Sequence, residues 1–259
     1  MRRAIVRIGA GVALSALGGV TVLGAEILLA RGRTYLTADS APPITGEFGD
    51  ATDPLVRLVL LGDSTAAGVG VSRTQDTVGA QLAMRLSTER LSVRLSGVAV
   101  SGSRAGDLSP QVGRALVMGD RPDVAVIIIG ANDATHVTPL DAVARDVEAA
   151  VRRLRAAGIA VVVATAPDMG APPALKRPLR DLVAWRARQV AAHSEQAATR
   201  AGGLVVDLAA DTGPAFRADP ERLHSSDEFH PSAAGYRVWA DALLPAVRQA
   251  VAARQPERG

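Results

Sequence analysis

Cysteine is absent from all 259 residues, which excludes disulfides, thiolate zinc sites and a cysteine nucleophile together. Histidine is scarce: His136, His193, His224 and His230 show no HExxH or other zinc-ligand spacing, so no catalytic metal is expected. A general excess of positive charge is also missing. The formal net charge is +3, but Arg2, Arg3, Arg7, Arg31 and Arg33 fall in the first 33 residues against Glu26 alone, and the remainder holds 24 basic and 25 acidic residues. The basicity is local, and no nucleic-acid partner is expected. The glycine-rich stretch from Gly62 to Gly70 lacks the Gly-Lys-Ser/Thr of a phosphate-binding loop. Gly68-Val69-Gly70 is followed by Arg73 where a dinucleotide fingerprint needs glycine, and no cofactor is expected.

What is present first is an uncharged run of small and apolar residues, Ile8 to Ala25, preceded by three arginines and followed by Arg31 and Arg33. Its length lies at the lower limit for a membrane span and exceeds the usual secretory core. Cleavage after Ala25 or Ala30 would leave Leu23 or Leu28 where a small residue is preferred, so residues 1–33 read as a retained signal anchor rather than a cleaved signal peptide. The arginine balance slightly favours a cytoplasmic N-terminus, which places the following domain outside the cell membrane; secretion is the alternative. Residues 34–54, with Pro42-Pro43 and scattered Gly, Asp and Thr, read as a linker without a strand, leaving 55–253 as the folded domain.

From Val56 onward short apolar runs alternate with helical periodicity, the pattern of βαβ units. Strands are expected at 56–61, 92–100, 124–129, 159–164 and 204–207. Helices are expected at about 77–90, 140–157, 178–201 and 232–251, the last capped by the Ser232 hydroxyl. Five near-continuous strands with covering helices define an α/β fold, a three-layer α/β/α sandwich on a five-stranded parallel sheet with right-handed crossovers.

Three motifs follow expected strands and would gather at the carboxyl edge of such a sheet, where these folds place their sites. They are Gly62-Asp63-Ser64, Ser101-Gly102-Ser103 and Gly130-Ala131-Asn132-Asp133; Asp227-Glu228-Phe229-His230 answers them near the other end. A serine on a turn after a strand presents its hydroxyl where a base from a distant loop can reach it. Each piece also has an ordinary structural reading: Ser64 as a cap, Gly102 and Asn132 as turn residues, Asp227 as a helix cap. In combination the four blocks resemble the SGNH hydrolases, the GDSL-type esterases and lipases, from about Val56 to the last helix. Thr65 stands where that family often has leucine, a departure that touches the pocket wall. An α/β-hydrolase elbow is the poorer match, because that fold places its nucleophile later in the chain.

The resemblance implies a flavodoxin-like strand order 2-1-3-4-5. It also implies Ser64 as nucleophile, His230 as base and Asp227 as the group that orients the imidazole. The oxyanion donors would be the backbone N–H groups of Ser64 and Gly102 and the Asn132 side-chain amide. Thr65 and Met169 are expected against the substrate, Met169 beside the acyl group. Asp63 and Asp133 are expected to brace loops, and His136, just beyond Asn132, to lie on the surface. The expected activity is cofactor-free hydrolysis of a small-molecule or lipid acyl ester, of the lipase, lysophospholipase or thioesterase kind, with the fatty acyl group favoured by a membrane tether. A carbohydrate O-acetyl esterase of the cell envelope, or a non-catalytic envelope-binding module on the same fold, are the alternatives.

Overall fold

The computed structural model of the chain describes residues 35–253, apart from 38 and 40. Six strands form one sheet: β1 (Thr45–Phe48), β2 (Leu55–Gly62), β3 (Ser92–Gly97), β4 (Val124–Ile128), β5 (Ala160–Ala164) and β6 (Leu204–Val206), in the order β1-β3-β2-β4-β5-β6. The five strands expected from the sequence are all parallel and follow the expected order. β1 is the correction. It lies antiparallel on β3, pairing Thr45 with Ser96 through Phe48 with Val93, so the stretch read as a linker supplies an edge strand. Prolines and glycine mask it in the sequence, but Ile44 and Phe48 pack against the core and supply the burial that holds four residues in place.

Strand β2 divides the interior. Val56, Leu58 and Leu60 point to one face and Val59 and Leu61 to the other, the period of two expected of a strand buried on both sides. On the first face lie α1 (Val78–Ser87), α6 (Leu208–Ala218), α7 (Pro220–Leu223) and α8 (Ala233–Ala252), packed through Leu82, Phe216, Leu223, Tyr236 and Leu243. The second face is covered by α2 (Leu108–Leu116), α4 (Leu140–Ala156) and α5 (Leu179–Arg200), with the short α3 (Ala131–Thr135) at its edge. Helix α4 buries Val143, Val147, Ala150, Val151 and Leu154, one stripe at helical spacing. The Ser232 hydroxyl caps α8 by accepting from Ala234 N at 3.1 Å and Gly235 N at 3.2 Å. Among the described residues no helix is long and apolar enough to cross a membrane; the stretch Ile8–Ala25 lies outside them.

At the carboxyl end of β2 the backbone of Gly62 turns with φ of 131°, and a Cβ there would lie 1.8 Å from the Ile128 carbonyl oxygen. Only glycine lets β2 run this close to β4 while the chain swings out to Asp63 and Ser64. β3 leaves regular strand geometry at Gly97, three residues short of the expected end. Val98 N and Val100 N still donate to Leu60 O and Gly62 O at 2.9 and 3.1 Å, which carries the next loop alongside Ser64.

Candidate active site

Asp63 is buried, and its Oδ1 accepts from Thr65 N at 2.9 Å and Thr65 Oγ1 at 2.7 Å. Burial pushes this carboxyl up, and the two bonds from Thr65 oppose the shift. The turn they fix leaves the Ser64 side chain facing the loop between α7 and α8. There His230 Nε2 lies 3.0 Å from Ser64 Oγ, and His230 Nδ1 lies 2.6 Å from Asp227 Oδ2. A carboxylate oxygen can only accept here, so Nδ1 carries the proton and Nε2 accepts from the serine hydroxyl.

Asp227 is held from every side. Oδ1 accepts from Ser225 Oγ at 2.8 Å and from Phe229 N and His230 N at 3.0 Å each; Oδ2 also accepts from Leu36 N at 3.1 Å. Burial alone would push its carboxyl up. The bonds from the His230 ring and backbone, Ser225 and Phe229 outweigh burial and hold it well below the usual carboxylate range. Leu36 and Tyr35, whose ring lies 5.0 Å from that of Phe229, belong to the stretch expected to be a spacer, yet they sit against this carboxylate and its loop.

The second and third blocks meet opposite the imidazole. Gly102 has φ of 81°, the left-handed region that favours glycine. Its N–H and that of Ser64 donate to no protein group among the described residues. Asn132 Nδ2 donates one hydrogen to Ser103 O at 3.0 Å, which fixes the amide and leaves its second hydrogen available. Asp133 Oδ2 accepts from Ala105 N at 3.0 Å and ties the two loops together, and burial pushes its carboxyl up against that bond. His136 is exposed, with Nδ1 2.9 Å from Asn132 O.

Gln111 is the participant that sequence reasoning missed. It is 1% exposed in α2; Oε1 accepts from Gly62 N at 2.7 Å, while Nε2 donates to Gly62 O at 2.9 Å and Ser103 Oγ at 3.0 Å. One side chain thus clamps the end of the Ser64 strand to the Gly102–Ser103 loop. No motif announces it; the signal was a lone amide on the buried face of an amphipathic helix beside Leu108, Val112 and Ala115.

Beneath Ser64 lies a cavity of about 50 Å³. Thr65, Asn132, Met169, Phe216, His224 and Trp239 are among the residues lining it. Thr65 and Met169, expected against the substrate, both border this cavity, whereas nothing in the sequence marked His224 or Trp239. Among the described residues no three His, Asp or Glu side chains cluster in an arrangement suited to a metal ion.

A hydroxyl, imidazole and carboxylate in a hydrogen-bonded row at the carboxyl edge of a parallel sheet define a class, the hydrolases that act on ester bonds on the three-layer sandwich. The chain belongs to the GDSL-like lipase/acylhydrolase family, the SGNH hydrolases, whose profile matches residues 60–238. It is 35% identical to the GDSL-like esterase Rv1075c of Mycobacterium tuberculosis, over 96% of this chain and 85% of that protein. Among solved structures, TesA covers 75% of this chain with 99% of its own length at 19% identity and a TM-score of 0.60. A variant of the acetyl-xylooligosaccharide esterase Axe2 from Geobacillus stearothermophilus covers 77% with 95% of its own length, at 22% identity and a TM-score of 0.54. Both share the fold.

Proposed function

We propose that the protein hydrolyses short-chain carboxylic esters through an acyl-Ser64 intermediate. The observation that carries this reading is the Ser64 Oγ–His230 Nε2 contact of 3.0 Å, backed by Asp227 at 2.6 Å from the opposite ring nitrogen. As Ser64 attacks the ester carbonyl, its proton passes to Nε2, and the Asp227 carboxylate stabilises the resulting imidazolium. The carbonyl oxygen gains negative charge beside the free N–H groups of Ser64 and Gly102 and the remaining hydrogen of Asn132, each such donor being worth about 3–4 kcal/mol in comparable sites. The imidazolium then protonates the leaving alcohol. Water, deprotonated by His230, attacks the acyl-enzyme and releases the acid.

The cavity supports a short acyl group over the fatty chain favoured by sequence alone. The cavity beside Ser64, of about 50 Å³, is small for a long hydrocarbon chain. The larger, variable part of the substrate is then the alcohol, which faces solvent. The arginine-flanked stretch Ile8–Ala25 supports a membrane-anchored domain outside the cell.

A fluorophosphonate probe should label the wild-type enzyme at Ser64, and nitrophenyl esters from acetyl to palmitoyl should be hydrolysed fastest at two to five acyl carbons. Ser64→Ala should lose the label and several orders of magnitude in rate, with its melting temperature nearly unchanged. Retention of most activity would overturn the mechanism, and best rates on palmitoyl esters would overturn the short-chain reading.

A further inference from the structure

Two large apolar side chains of α5 are left on the protein surface. Trp185 is 50% exposed and Leu182 47%, one turn apart on the outer face of the helix. Arg186, next to Trp185, donates from Nη2 to Thr138 O at 2.5 Å, which brings in Val137, 66% exposed in the loop after α3. Val137 has φ of 53°, where a β-branched residue is an outlier, so neither backbone preference nor core packing accounts for an apolar side chain there. Basic residues surround the pair on α5. Residues 176–188 hold Lys176, Arg177, Arg180, Arg186 and Arg188 against Asp181 alone, and that one carboxylate is shared by Arg177 at 3.1 Å and Arg180 at 3.8 Å. The same region adjoins the place where residues 1–34 join the domain. Ala174 N, two residues before Lys176, donates to Glu228 O at 3.1 Å, and the ring of the next residue, Phe229, lies 5.0 Å from that of Tyr35. The apolar run Ile8–Ala25 ends ten residues before Tyr35.

Tryptophan and leucine set among arginines match the chemistry of a bilayer surface: the indole sits at headgroup level, the leucine reaches the first acyl carbons and the guanidinium groups bond lipid phosphates. A two-fold contact with a second copy fits less well, because it would set this basic segment against its own like charge. We propose that the first turns of α5, together with Val137, dock the domain on a bilayer that carries anionic headgroups. The inference rests on the reading that Ile8–Ala25 is retained in the membrane, since that brings lipid to the side where Tyr35 enters the domain. Docking there sets the cavity beside the lipid surface. Ala184, next to Trp185, lies so near Gly170 that a Cβ on the glycine would be 3.3 Å from its own, and Met169 and Ala171 on either side of Gly170 line the cavity.

Trp185 and Trp239 are the only tryptophans in the chain, and Trp239 is 2% exposed, so fluorescence reads the contact directly. The full-length protein is reconstituted in vesicles of equal parts phosphatidylglycerol and phosphatidylcholine, with or without bromine on the acyl carbons nearest the headgroups. Bromine should quench the wild-type emission by a third or more. The quenching should vanish in Trp185→Phe, which should melt like the wild type because the ring it replaces is outside the core. In phosphatidylcholine alone, or in molar salt, it should fall at least twofold as the attraction between arginine and phosphate is lost or screened. Protein that floats with the vesicles while Trp185 stays unquenched overturns the proposal and leaves the anchor in place. Equal quenching with and without phosphatidylglycerol overturns the anionic partner and the proposal with it. A disulfide between copies of Leu182→Cys, with Trp185 unquenched, gives the surface to a second copy instead. Protein that does not float at all defeats the anchor reading and this proposal together.

Discussion

Single side chains carry most of the chemistry, and two of them act on the same loop from different sides. In the proposed mechanism Asn132 donates to the position where charge develops, so Asn132→Ala should cut kcat by about a hundred- to a thousandfold with KM nearly unchanged. Gln111 is not among the residues lining the cavity and holds Gly62 and Ser103 in register, so Gln111→Met should lower kcat about ten- to a hundredfold, again with little change in KM. It should also destabilise the fold, because the Gly62 N–H and C=O lose a buried partner. A rise in KM at constant kcat for either variant would assign it to substrate binding instead. Asp227 makes a prediction in pH. Its carboxyl is held below the ordinary value of 3.8 in the folded chain, so it adds stability above that pH, and this is lost as the pH falls toward the folded value. The difference in unfolding free energy between wild type and Asp227→Asn should therefore be fully present at pH 6 and shrink below about pH 4. A difference that stays constant from pH 6 to pH 3 would mean that the carboxylate gains nothing from its four neighbours.

At the level of elements, the segment ahead of β2 has the largest untested effect. A chain beginning at Asp53 loses β1, the packing of Ile44 and Phe48 and the Leu36–Asp227 bond, whereas one beginning at Arg33 keeps them. The burial lost is of the order of 3 kcal/mol, or about 6–12 °C in a domain of this size. The shorter chain should melt lower by that amount and turn over more slowly; equal melting temperatures and rates would make residues 35–52 a passive spacer. The parallel strands were legible because β2, β4, β5 and β6 are near-continuous apolar runs and β3 alternates Val93 and Leu95 with polar residues, and α1, α4, α5 and α8 because their apolar stripes are long. Other elements hide for definite reasons. α6 contains Gly213 and Pro214, and α2 is only nine residues long with Pro110 near its start. β1 follows two prolines, and its pairing depends on Ser92–Gly97, 44 or more residues away in the chain. The site divides in the same way. Ser64, Gly102, Asn132, Asp227 and His230 sit in compact motifs, while Gln111, His224 and Trp239 acquire their places only when α2, α7 and α8 pack.

For the whole molecule, the prediction concerns how it sits in the cell. With the arginine-flanked stretch Ile8–Ala25 as an uncleaved anchor, the full-length protein should remain with membranes through high-salt and carbonate washes, because a spanning helix is held by apolar burial rather than by screened charge. Recovery from the medium with a new N-terminus between residues 25 and 40 would indicate a processed signal peptide, and a soluble cytoplasmic pool would refute export. The contacts of Tyr35 with Phe229 and of Leu36 with Asp227 bear directly on this geometry. A free spacer over residues 34–54 would let the domain roam about 70 Å from its anchor point, at roughly 3.4 Å per residue. Were Ile8–Ala25 the anchor, the contact of Tyr35 with Phe229 would leave only the ten steps from Ala25, a leash of at most about 36 Å. An enzyme tethered in that way would work within a fixed radius of the bilayer face, so that geography as well as pocket chemistry would select its substrates.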